Sequence, residues 1–561
     1  MKFLTARFYG ILTLLWLSVM LVLTLTPAQD MPDTPAWKLL SFDTAAHAGV
    51  FAVLAGLGWL WARQQPGLRG RAAGVVLLGC IAFGALIEVL QYSMHLGRHA
   101  EWSDLLSDTI GAVLGLALLL ALRRQLPPAP LAAAALLLAL PLHAQPTTPD
   151  LAHARRTIEA LASAEMHGRG YVQQGEHRAA TYLRERLKQL GLQPLAPNYT
   201  QPFTLDVNTF PGKMELAANN VMGPHGGGAL QPGSDFIAAP NSAGGKVLYT
   251  HLLPLDTLVF TNPDTAVAWV RRPLHHQALL LTSRDQARWS QLPPALRQQL
   301  DLFAQVVLVP KLTASLASSQ ANNPRFEVLA SRWPQGKKLV HWQLDAQLLH
   351  SYPTQNLAAV VRGSVQPDSF LVVSAHYDHL GMMGSKTYFP GANDNASGVA
   401  LLLELAAHYA QPANRPAYSV AFLLFGAEEA GLVGSSYFVQ HPLLPLPRIK
   451  FLLNLDLLGT GEEGATVVNG RVHEAAFRQL TALNDAQHYL PRLTARGPAA
   501  NSDHFPFSEA GVPAFFMYTR GGSLAYHDVH DQPAALSLAG FAGAYGLARD
   551  FLNAQGARPA Q

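Results

Sequence analysis

The sequence predicts a multidomain protein. An all-α domain of apolar helices comes first, then an α/β domain with a mostly parallel central sheet and helices on both faces, which carries a β-rich insert. Three observations predict this. The first 125 residues hold four apolar stretches of similar length. From Leu371 to Asp456 short apolar runs alternate with a longer helix-like one, the strand–helix–strand order of parallel sheets. Residues 206–350 break instead into short β-rich runs separated by Gly, Pro and Asn. A length of 561 residues agrees, since it implies several domains.

The four stretches are Phe8 to Leu25, Ala45 to Trp61, Ala72 to Leu90 and Leu105 to Leu122. Each is near the length at which a helix spans a bilayer. They account for much of a composition that is 49% hydrophobic and only 14% charged, against about a quarter charged in an ordinary domain. The first stretch alone also fits a cleaved signal peptide. Repetition and flanking charge favour four spans in a domain covering residues 1–125. Lys2, Arg7, Arg63, Arg69, Arg71, Arg123 and Arg124 fall on one side, which the positive-inside bias makes cytoplasmic. Glu88, near the outer end of the third span, is a functional candidate by its position alone. A net charge of +3 without a basic stripe gives no argument for nucleic acid. The single cysteine, Cys80, excludes an internal disulfide.

Residues 126–150 form a fifth hydrophobic segment and a linker. The apolar core of Leu126 to Ala144 is short for a span and suits a signal-like segment cut after Ala144. Leu142 is a poor residue three before that cut, so a retained fifth helix is slightly favoured. Either way the chain that follows is expected outside the cytoplasmic membrane. The α/β domain then takes residues 151–205 and 351–561. It opens with two helices, Leu151 to Ala164 and Gly175 to Leu190, around the turn MHGRGYVQQG. Residues 206–350 form the insert, with strands at Lys246 to Tyr249, Ala278 to Leu281 and Val306 to Val309. His275 and His276 in it read as surface residues. Tyr352 to Arg362 and Ser369 to Ala375 read as a hairpin leading into His376. Pro513 to Thr519 is a further strand, and Ala534 to Asn553 a closing helix.

The chemistry gathers at strand ends. LVVSAHYDHLG, GANDNASG, LLFGAEEAG and FLLNLDLLG each carry an apolar run or tight turn to a metal-ligand type of residue. In parallel sheets ligands bind outside the carboxyl ends of the strands. Two divalent ions about 3.5–4 Å apart need a bridging carboxylate and terminal His and carboxylate ligands. Asp394 is the natural bridge, His376 and Asp456 complete one ion, and Glu429 with a later His completes the other. Asp378, two residues past His376, points the same way on a strand and suits orienting the imidazole. Glu428 is left without a metal and is a candidate general base.

HYDHLG, GANDNASG, GAEEAGLVGS and NLDLLG resemble the M28 family of zinc aminopeptidases, over roughly Leu151 to Tyr199 and Tyr352 to the end. The resemblance implies a two-zinc site on an α/β sheet. It places the last ligand at His527, in YHDVHD, the base at Glu428 and a ligand at Glu429. SDHFPF, Ser502 to Phe507, resembles a further signature of that family. It also implies a cis bond between Asp394 and Asn395, and the insert is loosely similar to a protease-associated domain. In the first part EVLQ and GRHAEWSDLLSDTIGAVLG, with His47, Glu88, Gln91, Arg98, Asp104, Asp108, Gly111 and Gly115, resemble VanZ-like membrane proteins. Asp108 stands where that family usually has Asn.

The combined expectation is a membrane-associated metalloaminopeptidase with two Zn2+ ions. It would act on peptide or protein N-termini outside the cytoplasm, with lipid as its surroundings. Two rivals stand beside it: a glutaminyl-cyclase-like acyltransferase with one zinc, and a non-catalytic ectodomain. The full set of His376, Asp394, Glu429, Asp456 and His527 weighs against the first, and the intact base against the second.

Overall fold

The computed structural model describes residues 2–25, 42–65, 67–68, 70–94, 102–122, 149–220, 228–272 and 277–556. The signal-like segment, the Ala144 cut, and His275 with His276 lie outside them. So do the side chains of His47, Glu88, Gln91, Arg98 and Asp104. The chain divides into two compact units, Met1–Pro146 and Thr147–Gln561.

The first unit is all-α. Its helices are α1 (Lys2–Leu25), α2 (Phe42–Ala62), α3 (Ala72–Met94) and α4 (Trp102–Leu122), one for each apolar stretch. Among the described residues no helix is long and apolar enough to cross a membrane. Two glycines set the approach of α2 and α4. A Cβ on Gly111 would run into the Ala48 carbonyl, and one on Gly115 into that of Ala52. Small residues four apart thus bring two helix backbones together. Asp108, just before Gly111 on the same helix, is buried. Gly111→Val drives side-chain atoms into backbone that cannot move aside. It is expected to cost about 1–3 kcal/mol of stability, read as a lower melting temperature of the purified protein. Gly74→Ala, which meets nothing within 4 Å, is the control and should leave the melting temperature undiminished.

In the second unit four parallel strands form the middle of a nine-stranded sheet. They run in the order Tyr418–Phe425, Gln366–His376, Ile449–Leu455, Ala514–Arg520. Their residues bury both faces, which is why the sequence shows continuous apolar runs and no alternation. Val420, Phe422, Leu371 and Val373 point to one core, under the helices Gly398–Ala410 and Phe541–Gly556. Ala421, Leu423, Phe370 and Val372 point to another, with Phe438 and Phe507. The parallel direction brings the ends of all four strands to one edge.

The predicted hairpin does not form. The strand Gln347–Val361 pairs antiparallel with Tyr418–Phe425, which lies between it and Gln366–His376. Tyr418–Phe425 buries all eight of its residues and takes the interior position, so the two neighbours in sequence are held one strand apart. The closing helix starts later than its apolar pattern implies, at Phe541. Leu538 there is left-handed, and Gly540 packs on the Gly461 backbone.

The segment predicted as a β-rich insert contains an eight-stranded mixed sheet with its own core, including Phe236, Phe326 and Trp342. It carries short helices as well, at Pro263–Val270, Ser283–Ala287 and Pro294–Leu300. Leu380, Met383 and Phe389, from the loop after the His376 strand, complete that core. The insert is therefore packed directly on the loop that leaves the sheet edge.

Candidate metal centre

The sheet edge gathers the predicted residues. His376 ends its strand, and its Nδ1–H donates to the Asp378 carbonyl oxygen at 3.2 Å. A carbonyl only accepts, so Nδ1 carries a proton and Nε2 is the ring atom turned to the carboxylates. That Nε2 lies 3.3 Å from Asp394 Oδ1 and 3.4 Å from Asp456 Oδ2. His527 is fixed in the same way. Its Nδ1–H donates to the Ala314 carbonyl at 2.9 Å, and its Nε2 faces Asp394 Oδ2 at 3.1 Å and Glu429 Oε2 at 3.2 Å. The two oxygens of Asp394 thus face two different imidazoles.

The other groups hold this set in place. Asp378 accepts from the backbone N–H groups of Glu428 and Glu429, at 3.1 and 3.4 Å, and so locates both. Ser502 donates to Asp456 Oδ2 at 2.9 Å, within a chain that continues through Asn454 to Ser374. Glu428 Oε2 stands 4.0 Å from His376 Nε2, at the open side of the cluster. The Asp394–Asn395 peptide bond is cis, and the Asn395 side chain accepts from Gly398 N at the start of the following helix.

Burial governs the electrostatics. It raises the Glu428 carboxyl well above the usual range, and the nearby carboxylates Asp503, Glu429 and Asp456 add to this against His376. Asp394 goes the other way: burial would raise it, but hydrogen bonds from His376 and His527 outweigh that and hold it well below the usual range. Burial alone would lower His527, yet Glu429 and Asp394 push it up to about 11.

The donor atoms fit zinc. Imidazole nitrogen and carboxylate oxygen are its ordinary ligands. Ligand atoms of His376, Glu428 and Asp456 lie within 4.8 Å of one another, as do those of His379, Asp394 and Glu429. Asp456 Oδ1 is buried without a hydrogen-bond partner. So many buried carboxylates with few cations among them are unstable without added positive charge.

Four contributors are not evident from the sequence. His379, inside HYDHLG, has Nδ1 at 2.7 Å from Glu429 Oε1, which leaves Oε2 to face His527. Asp531, inside YHDVHD, accepts from Asn393 N and Asp394 N at 2.9 and 3.0 Å. Both sit in the motifs that carry the ligands, so that proximity is the available signal. Asp503 is wholly buried beside this set, and burial pushes it up to about 7. Arg169 lies far upstream in the Gly-rich turn. It is fully buried and donates to five carbonyls, of Leu161, Tyr377, Pro390, Gly391 and Asp394. Burial lowers its pKa to about 10, against the pull of Asp394, Asp531, Asp378 and Glu429. Gly391 is left-handed and leaves Arg169 its space: a Cβ there would collide with the Arg169 Nη2 and with the Asp394 carbonyl oxygen.

Comparison with known proteins adds likenesses of sequence and fold. Residues 356–551 match the model of Peptidase family M28, and residues 9–123 match that of VanZ/LLP1. The likeness to M28 peptidases thus lies in the C-terminal part of the chain and the likeness to VanZ in the N-terminal part. Aminopeptidase YwaD of Bacillus subtilis is 31% identical over 216 residues, covering 36% of this chain and 44% of that protein. An aminopeptidase of Pseudomonas aeruginosa is 40% identical over 119 residues, 21% of this chain and 20% of its own. The chain therefore spans less than half the length of these curated relatives. The solved structure of a zinc aminopeptidase from Bacillus subtilis superposes with a TM-score of 0.55 at 19% identity, over 73% of this chain and 96% of that one. At that identity the likeness is one of fold.

Arg169→Met leaves five buried carbonyls short of a donor and several carboxylates short of a cation. It is expected to destabilise the second unit by about 3–5 kcal/mol, read as a lower urea midpoint. Arg169→Lys should recover only a small part, because one ammonium cannot span five acceptors.

Proposed function

We infer that the protein is a membrane-associated di-zinc aminopeptidase that removes N-terminal residues from peptides outside the cytoplasm. One observation carries the reading: the two oxygens of Asp394 face His376 on one side and His527 on the other, 3.3 and 3.1 Å away. A carboxylate shared in this way serves two positions. His376, Asp394 and Asp456 would hold one zinc, and Asp394, Glu429 and His527 the other. Zinc, when bound, supplies Lewis acidity toward water and toward a scissile carbonyl.

The chain's own residues do the rest. Glu428 takes a proton from the attacking water and hands it to the leaving amine. Its pKa, raised by burial, makes it a stronger base than an exposed carboxylate. Asp378 fixes the Glu428 backbone, the point from which its carboxylate reaches to 4.0 Å from His376 Nε2. The names of the relatives, aminopeptidase among them, support a peptide with a free N-terminus as the substrate. The Arg-rich flanks of the four apolar stretches return the chain to the cytoplasmic side at Arg123 and Arg124, and the fifth hydrophobic segment, residues 126–144, then supports placing the peptidase domain outside the cytoplasmic membrane.

Purified full-length protein is expected to contain two zinc ions per chain and to hydrolyse aminoacyl arylamides, with activity lost on chelation and restored by zinc. Glu428→Gln should keep both ions while turnover falls by at least about two orders of magnitude. Near-normal turnover in that variant would assign the base elsewhere. Asp394→Ala should lose metal, because one carboxylate serves both positions. For the location, alkaline phosphatase fused after Asp150 should be active. Fluorescence from a green fluorescent protein fusion at the same point, with no phosphatase activity, would refute the outward placement.

A further inference from the structure

A cavity of about 430 Å³ lies within the insert, inside the usual size range of small-molecule sites. Its floor follows from strand periodicity. The strands Ala304–Val309 and Arg325–Leu329 are parallel neighbours, with Gln305 level with Arg325 and Val307 level with Glu327. Phe326 and Val328 alternate to the other side and enter the insert core. Gln305, Val307, Arg325 and Glu327 all line the cavity.

The walls are pinned. Asn208, itself buried, donates through Nδ2 to the Pro240 and Ser242 carbonyls at 2.9 Å and through its backbone to the Ala317 carbonyl at 2.8 Å. Ala321 N donates to the Asn241 carbonyl, closing the same corner. Such a cavity exists before any ligand arrives.

Its charges are unusual for a structural cleft. Glu327 makes no ion pair among the described residues, and burial raises its pKa with no neighbouring charge to oppose it. Arg325 stands two residues away on the same strand face but pairs with Asp301, at 3.1 Å. Its Nε is buried without an acceptor. A positive group is therefore missing at Glu327, and an acceptor is missing at Arg325. The negative charge of Glu327 opposes phosphates and nucleotides, and amide groups such as Gln305 and Asn241 disfavour a purely apolar guest.

We propose that this cavity binds a free α-amino acid, its ammonium on the Glu327 carboxylate and its carboxylate on Arg325. Binding does not depend on the peptidase reading. Only the further identification of this ligand with the product of the reaction rests on that reading.

The test is calorimetric titration of zinc-loaded full-length protein with L-alanine, L-leucine and L-glutamine. Propylamine and propionate serve as single-charge controls. An amino acid is expected to give a saturable event outside the metal centre that either control matches only at a concentration at least about tenfold higher. Glu327→Gln should abolish that event and leave arylamide hydrolysis in amino-acid-free buffer unchanged. Val307→Phe, which fills the floor beside Glu327 while keeping both charged groups, should abolish it too. Isotherms in both variants identical to wild type would overturn the proposal, as would the absence of amino-acid binding. Binding without any hydrolysis would sustain the cavity and sink the peptidase reading, so the two failures are distinguishable.

Discussion

The second unit depends on one constraint: several carboxylates are buried together at the end of a parallel sheet. Asp378, Asp394, Asp456, Asp503 and Asp531 are buried, and Glu428 and Glu429 stand against them. Taking a carboxylate out of water costs several kcal/mol even after relaxation. Each neighbouring feature reads as an answer to that cost. Asp378 and Asp531 are met by backbone N–H groups, Asp456 by Ser502, and Glu429 and Asp394 by imidazoles. Arg169 places the only buried guanidinium among the described residues beneath them. Divalent cations would supply the remaining deficit, and their binding would then be coupled to folding.

Much of this is readable from residue order because strand ends are local. An apolar run, a Gly and an acidic or imidazole side chain lie within a dozen residues, and the parallel sheet then brings those ends to one edge. What cannot be read is long-range. Arg169 acts across more than 200 residues on carbonyls, which leave no side-chain signature. The apparent hairpin before His376 fails because strand order is decided by burial on both faces, and Tyr418–Phe425 claims the inner place. The apolar pattern overstates the closing helix because periodicity does not register a left-handed Leu538.

The insert illustrates a different limit. Its strands at residues 246–249, 278–281 and 306–309 are legible as short, largely apolar runs between turn residues, and each falls within a strand of the structure. Its short helices are not, because Pro263–Val270 and Pro294–Leu300 are too brief to show a helical period. In the first unit the helices are legible from apolar length. The close approach of α2 and α4 is recoverable only from the spacing of Gly111 and Gly115.

The contact between Ala314 and His527 has a wider consequence. The insert's backbone both accepts the His527 Nδ1 proton and donates to the His527 carbonyl, and Lys311 reaches the Leu524 carbonyl beside it. The insert is thus a scaffold for one arm of the centre, although the two partners stand 213 positions apart in the chain. By reciprocity, whatever tightens the grip on His527 also steadies the Ala314 segment, and loosening either releases the other. Excising the insert to obtain a minimal catalytic core would therefore remove part of the site itself. Its boundary in sequence is not a boundary in function.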